Sequence, residues 1–301
     1  MDGNERRVPS DSALTSSEEL LKMVACMARS WAEEEDMGEY VELPGVKTWY
    51  EVEGEGEPLV LLHGGLCTNE TWGAVRPEFA ARFRVFLPER RAHGHTPDVE
   101  GPLSYTDMAK DTVDFLTTVV GEPAHVVGWS DGGIVGLLVA IARPDLVWKL
   151  VVIGANFKPA LHVFPGAEAM LNGLTADSPH LTMFRSMYEA VSPDGPEHWA
   201  AVVAKIVEMF RGDEPNISSG DLGRISAPTL VMVGDDDLPS LEHTIALYRV
   251  IPNSELAVVQ GTSHALPMEK PSVVDQLVID FLANEPVATF MPIRRATPRV
   301  S

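Results

Sequence analysis

From residue 47 the chain alternates short β-rich runs with helical stretches, and few folds accommodate that alternation. The runs are Lys47–Glu53, Leu59–Leu62, Arg84–Leu87, His125–Val127, Leu150–Ile153, Thr229–Val233 and Glu255–Val259. Between them lie helical stretches, notably Asp107–Val119, Ile134–Ala142, Leu241–Val250 and Ser272–Leu282. Strands that are almost wholly apolar have no solvent face, so both faces of their sheet must be covered; strands joined through helices run parallel. The expected class is α/β, with a mostly parallel, doubly wound sheet. In such a sheet ligands bind outside the carboxyl ends of the strands, so the residues just after each strand carry most of the functional information.

The alternation breaks between about Ala155 and Ile225. Phe157, Phe164, Met170, Leu171, Met183, Phe184, Met187 and Tyr188 are punctuated there by Pro159, Pro165, Pro179, Pro193 and Pro196. This reads as a helical insertion whose helices pack on one another, with some of its apolar face roofing a pocket. The expected organisation is a tail and amphipathic helix over 1–36, a core over 37–155, a helical cap over 156–225, the rest of the core over 226–285 and a tail over 286–301. In the first segment Ser16 is a candidate N-cap with Glu19 three residues on. Leu20, Met23, Val24, Met27 and Trp31 follow as one apolar stripe, to be covered by the protein's own surface or by a second copy. A monomer and a homodimer both fit.

Composition excludes whole classes of partner. With 301 residues and a net charge of −21, the molecule repels nucleic acid and anionic membranes. The basic cluster Arg294, Arg295 and Arg299 is too short to reverse that. No run approaches the roughly 20 apolar residues of a membrane span. The stretch Leu20–Ala28 is broken by Lys22 and flanked by acidic residues, unlike a signal peptide. A soluble, cytoplasmic protein acting on a small molecule is expected. Two cysteines, Cys26 and Cys67, make neither a disulfide framework nor a Cys-rich zinc site.

The strongest chemical signal is Gly128-Trp129-Ser130-Asp131-Gly132-Gly133, set between the apolar run ending at Val127 and the helical run Ile134–Ala142. A G-x-S-x-G between strand and helix is a nucleophile elbow. The turn is so sharp that only small residues fit two positions before and after the serine. It lifts Ser130 to a helix N-terminus, where backbone N–H groups and the helix dipole favour negative charge. A serine nucleophile needs a base, and His264 in Gly261-Thr262-Ser263-His264 follows a strand as required. A carboxylate after the preceding strand would orient the imidazole, and Gly234-Asp235-Asp236-Asp237 offers three. His63-Gly64-Gly65-Leu66, directly after another strand, is a Gly-rich turn with N–H groups free for an oxyanion. The expected donors are the backbone N–H groups of Gly65 and Asp131. His63 reads as a loop-holding residue, and Cys67 as a small buried apolar one. Trp129 and Leu66, beside the nucleophile and the oxyanion turn, are expected substrate contacts.

Taken with Glu89-Arg90-Arg91-Ala92-His93-Gly94-His95-Thr96, these motifs make residues 40–285 resemble the α/β-hydrolase-fold enzymes. The order Ser, acid, His is that family's order. The resemblance implies an α/β-hydrolase fold with a helical cap inserted before the strand bearing the triad acid. It implies Asp237 as that acid, with Asp235 the runner-up, and no metal or organic cofactor. Glu89–Thr96 departs from the family's Asp-x-Arg-Gly-x-Gly-x-Ser and is expected to be a structural turn. Gly128–Gly133 with Gly154-Ala155-Asn156 is similar to valacyclovir hydrolase (biphenyl hydrolase-like) enzymes, in which the acid after the nucleophile reads the amino group of aminoacyl esters. Here that residue is Asp131, whose alternative role is a carboxylate at a helix N-terminus, worth roughly 0.3–1 kcal/mol.

The expected activity is hydrolysis of small carboxylic esters, lactones, thioesters or activated amides through an acyl-enzyme on Ser130. Perhydrolase (cofactor-free haloperoxidase) chemistry and carbon–carbon bond hydrolysis use the same triad. A ligand receptor with little turnover is the alternative of another class. Asp131, Asp235 and Asp236 around the site predict a preference for neutral or cationic substrates over anionic ones.

Overall fold

The computed structural model describes residues 38–285 together with 290 and 291. The N-terminal helix and stripe expected over 16–31, Cys26 and the basic cluster of the C-terminal tail lie outside the described residues.

Eight strands form one sheet: β1 (Glu39–Leu43), β2 (Val46–Glu53), β3 (Pro58–Leu62), β4 (Arg84–Pro88), β5 (Ala124–Trp129), β6 (Val147–Ile153), β7 (Thr229–Gly234) and β8 (Ser254–Val259). Their order is β1-β2-β4-β3-β5-β6-β7-β8. β4, β3, β5, β6, β7 and β8 are parallel, while β2 is antiparallel to both β1 and β4. Strand β1 was not expected from the sequence. It is an edge strand, mostly exposed, so it carries two glutamates and no apolar run. Its hairpin with β2 turns through Pro44 and Gly45, the glycine at φ 87°.

Side-chain alternation splits the core between the two sheet faces, as a doubly wound sheet requires. Val60, Leu62, Val126, Val152 and Val231 face one layer, Leu59, Leu61, Val127, Val151 and Met232 the other. The first layer holds helices α2 (Tyr105–Phe115) and α3 (Asp131–Ala142), through Met108, Phe115, Ile134 and Leu137. The second draws Phe79 from α1 (Arg76–Ala80). A slip of one residue in any central strand would exchange these sets, so register is tightly specified.

Between β6 and β7 the chain forms α4 (Ala160–Val163), α5 (Ala167–Gly173), α6 (Thr182–Val191), α7 (Trp199–Arg211) and α8 (Ser219–Leu222). Trp199, Val202, Val203, Ile206 and Met209 recur at helical spacing, and α7 buries all five. Asp98, on the loop after β4, ties α7 to the core: it accepts hydrogen bonds from Lys205 at 2.8 Å and pairs with His198 at 2.8 Å. Burial alone would raise its pKa, but those partners hold it below the ordinary carboxylate value. Glu214 makes the second tie, accepting from the Tyr105 N–H at 2.8 Å and the Thr106 hydroxyl at 2.6 Å at the start of α2. After β7 come α9 (Leu241–Val250), then, beyond β8, α10 (Leu266–Glu269) and α11 (Pro271–Ala283). Val274, Val278 and Phe281 of α11 close the second layer.

The strand order reverses at β3 and β5: the chain runs from β3 to β4 on one side and from β5 to β6 on the other. At such a reversal an open α/β sheet takes its ligands at the carboxyl ends of the strands, here β3 and β5, and α3 approaches the end of β3 there. The approach is close enough to exclude a Cβ. A methyl at Gly132 would sit 1.9 Å from the Leu62 carbonyl oxygen, and one at Gly128 would sit 2.2 Å from that of Gly132. Both obstacles are backbone and cannot rotate away. Gly132→Ala is expected to destabilise the fold by about 2–3 kcal/mol, the upper part of the range for overpacking. The shift of the urea midpoint at unchanged slope measures it. A shift equivalent to less than about 0.5 kcal/mol would mean that α3 can slide away from β3.

Candidate active site

Each motif residue singled out in the sequence lies just beyond the carboxyl end of a strand: His63–Leu66 after β3, Ser130 after β5, Asp237 after β7 and His264 after β8. Ser130 has φ 56° and ψ −120°, a conformation that costs a non-glycine residue roughly 1–3 kcal/mol. It is held there from both sides. Its N–H donates to the Ile153 carbonyl at 2.8 Å, and its carbonyl accepts from Gly133 at 2.8 Å and Ile134 at 3.1 Å.

Ser130 Oγ lies 2.9 Å from His264 Nε2, and His264 Nδ1 lies 2.6 Å from Asp237 Oδ1. The carboxylate requires a proton on Nδ1, which leaves Nε2 to accept from the serine hydroxyl. The Asp237 side chain is fully buried and itself fixed: Oδ1 accepts from the Leu238 N–H at 2.7 Å, Oδ2 from the Gly234 N–H at 3.1 Å. Asp235 is turned elsewhere. Its Oδ1 accepts from the Thr262 N–H at 3.1 Å, and backbone donors from Gly261 and Thr262 pull its pKa down. It braces the loop leading to His264. Asp236 is exposed. Glu269 braces the same loop by accepting from both the N–H and the hydroxyl of Ser263 at 2.7 Å.

The backbone donors expected for an oxyanion are open. Among the described residues, neither the Gly65 nor the Asp131 N–H has a hydrogen-bond acceptor. His63 is placed as a loop-holding residue. Its Nδ1 donates to the Gly64 carbonyl at 2.8 Å and its Nε2 accepts from the Arg90 N–H at 3.1 Å. Burial first, then the Arg90 charge, drives its pKa well below the ordinary value, so it is neutral. Cys67 is buried, and burial pushes its thiol up to about 12, leaving it protonated.

The two expected substrate contacts are otherwise occupied. Trp129 is only 3% exposed, and its indole N–H donates to the His264 carbonyl at 2.9 Å, so it secures the histidine's backbone. Leu66 is 7% exposed and packs into the core, while its N–H donates to His93 Nε2 at 3.1 Å. Asp131 is 3% exposed. Tyr105, from the first residue of α2, donates to its Oδ1 at 2.8 Å. Its Oδ2 has no partner among the described residues and points to the oxyanion turn: a methyl on Gly65 would come within 2.5 Å of it. Burial raises the Asp131 pKa; the Arg90 charge and the Tyr105 hydroxyl oppose that. The same methyl would lie 3.2 Å from the ring of Phe210, so the insertion reaches the His63–Leu66 turn.

Tyr105, Arg90 and His93 were missed in the sequence because each acts through a neighbour distant along the chain, and Glu269 because a lone glutamate in a helix carries no mark of its partner, Ser263. One signal was available for Arg90: an arginine directly after an apolar strand must find buried acceptors. Among the described residues, no three His, Cys, Asp or Glu side chains converge as a metal site requires.

His63, His93 and His243 all titrate low, burial being the largest cause in each; His93 falls to about 3 and His243 to about 4. At these three sites the unfolded chain binds more protons than the native state below about pH 6.5, so each contributes stability that is full above that pH and lost as pH falls, by up to about 1.4 kcal/mol per pH unit. Glu70 and Asp275, which burial raises to about 7, act in the opposite sense over the same range. An NMR titration of the native protein from pH 7 to 5 should therefore leave these three imidazoles neutral. Protonation of any of them near pH 6.5 would contradict the neutral assignment.

A model of the alpha/beta hydrolase family matches residues 59–277. Over 253 residues the chain is 28% identical to serine hydrolase BPHL of Homo sapiens, covering 80% of this chain and 85% of the human protein. It is also 28% identical over 263 residues to a 2-hydroxy-6-oxo-6-phenylhexa-2,4-dienoate hydrolase of Burkholderia cepacia, covering 77% and 89% of the two chains. Among solved structures, a meta-cleavage product hydrolase from Pseudomonas fluorescens IP01 superposes with a TM-score of 0.69 at 22% identity, over 83% of this chain and 99% of the other. That last likeness concerns the fold.

Proposed function

The chain belongs to the alpha/beta hydrolase family, and from that premise we propose that it is a serine hydrolase of small carboxylic esters. The observation that carries this reading is the chain of contacts from Ser130 Oγ through His264 to Asp237, set beside two N–H groups that have no acceptor among the described residues. His264 Nε2 takes the Ser130 proton as Oγ attacks the ester carbonyl carbon. The carbonyl oxygen becomes an oxyanion and rests on the Gly65 and Asp131 N–H groups. Collapse of the tetrahedral intermediate expels the alkoxide, which takes the proton from His264 and leaves an acyl-enzyme. Water, deprotonated by the same imidazole, then releases the acid and regenerates Ser130. Asp237 holds the tautomer and stabilises the imidazolium in both halves.

The substrate reading turns on Asp131. Its Oδ2 is a buried carboxylate oxygen with no hydrogen-bond partner among the described residues, beside the oxyanion turn. A cationic group there would restore what burial denies it, which favours esters bearing an α-amino group and disfavours anionic acyl groups. Carbon–carbon bond hydrolysis by the same three side chains is the second reading, favoured by the likeness to the Burkholderia dienoate hydrolase.

Ser130→Ala is expected to cut ester turnover by at least about 10³-fold and to abolish labelling by a fluorophosphonate, and Asp237→Asn to cut turnover by about 10⁴-fold. Full activity in Ser130→Ala would overturn the proposal. A panel of matched aminoacyl, N-blocked and succinyl esters tests the specificity. The free amine should be preferred, and Asp131→Asn should abolish the preference while leaving the N-blocked ester within a few-fold. Equal turnover across the panel would remove the role of Asp131. A dienoate substrate turned over faster than every ester would favour the second reading.

A further inference from the structure

Segment Glu89–Thr96 does more at the site than form a turn. The Arg90 guanidinium is 4% exposed and donates to two carbonyls of the oxyanion turn, His63 and, from Nη2 at 3.0 Å, Gly64. The Gly64 carbonyl also accepts from His63 Nδ1 at 2.8 Å and from the Cys67 N–H at 3.4 Å. His93 secures the next residue by accepting from the Leu66 N–H. One peptide group thus receives three donors on its oxygen, one of them from a cation.

That peptide is the one whose nitrogen belongs to Gly65. A trans peptide is planar, so its N–H points away from its C=O, and fixing the carbonyl towards Arg90 fixes the Gly65 N–H in the opposite direction. A cation at the oxygen also draws electron density through the amide, and successive hydrogen bonds polarise one another by about 10–30% each. The N–H becomes a stronger donor.

Stability does not account for the arginine. Among the described residues it has no carboxylate within ion-pair distance, and its Nε has no partner. A buried cation held only by neutral carbonyls costs several kcal/mol of desolvation, and a neutral side chain would fold at lower cost. Asp131 is the main opposing charge that Arg90 senses. The cation lies behind one oxyanion donor, and its counter-charge is the side chain of the residue that supplies the other.

We propose that Arg90 is a positioning residue for acyl transfer, holding and polarising the Gly64–Gly65 peptide so that the Gly65 N–H is aimed and strengthened before the oxyanion forms. This rests on the acyl-enzyme reading above. A donor fixed in advance where the oxyanion will form interacts more strongly with that charge than with the ground-state carbonyl, which lowers the barrier without tightening ground-state binding.

The experiment compares wild type, Arg90→Lys and Arg90→Met, each checked for native circular dichroism. Losing a whole oxyanion donor costs roughly 10²–10³-fold, so weakening one should lower kcat by about 10- to 100-fold in Arg90→Met, with KM within about twofold. Affinity for a trifluoromethyl ketone, which forms a tetrahedral oxyanion adduct on serine, should fall by the same factor. The infrared carbonyl band of a slowly deacylating ¹³C-labelled cinnamoyl enzyme should move to higher frequency, less in Arg90→Lys than in Arg90→Met. If Arg90→Met does not fold, Arg90→Lys alone carries the test through that band. An unchanged band in an acylated variant would overturn the proposal, as would a loss of activity lying in KM and thermal stability alone. Absence of any Ser130 acyl adduct by mass spectrometry in the wild type would overturn the acyl-enzyme reading itself.

Discussion

The arrangement at the carboxyl edge of the sheet depends on how closely helix α3 approaches the end of β3. The distance at Gly132 leaves no room for a Cβ beside the Leu62 carbonyl. That approach forces the chain through a left-handed turn at Ser130 and brings the serine beside the loop following Leu62. A methyl on Gly64 would lie 3.4 Å from Ser130 Cβ. Ser130 and the His63–Leu66 turn are therefore brought together by one backbone contact. The roughly 1–3 kcal/mol held in the Ser130 conformation is sustained by the strands around it, which fix both ends of the turn.

A second layer of interactions holds what the backbone has brought together. Asp237 is fixed by two N–H groups of its own loop, His264 by Trp129 and by a loop that Asp235 and Glu269 brace, and the oxyanion turn by Arg90, His63 and His93. The net charge of −21 acquires a finer meaning here. Of the acidic residues near the site, Asp235 is spent on backbone, Asp236 faces solvent, and Asp131 sits in a buried balance with Arg90 and Tyr105. The overall excess repels polyanions; the local field at Ser130 is set by one buried cation and the carboxylates around it.

Much of this was legible in the sequence for a local reason. The five central strands β4, β3, β5, β6 and β7 show as apolar runs because both faces of the sheet are covered there, and the elbow shows because its glycines are required by a contact within a few residues. His264 and the Asp235–Asp237 cluster follow from strand ends alone. Strand β1 was not legible, since an edge strand needs no apolar run. Nor was the ordering among the three aspartates legible from pattern: it depends on which side chain turns inward between β7 and β8. Trp129 looked like a substrate contact because it neighbours the nucleophile, yet its side chain projects into the second core layer and meets His264 from behind.

By itself, then, the sequence determined the class of fold, the position of the elbow and the residue types gathered at the strand ends. These follow from hydrophobic period and from steric limits that act over a few residues. Only the tertiary structure decided which partners meet: Tyr105 with Asp131, Arg90 with the Gly64 carbonyl, Asp98 with α7 and Phe210 with the oxyanion turn. Such pairs join residues brought together by crossovers of the chain, and a buried polar group takes whatever partner the packing delivers within about 3 Å. That choice leaves no periodic trace along the chain.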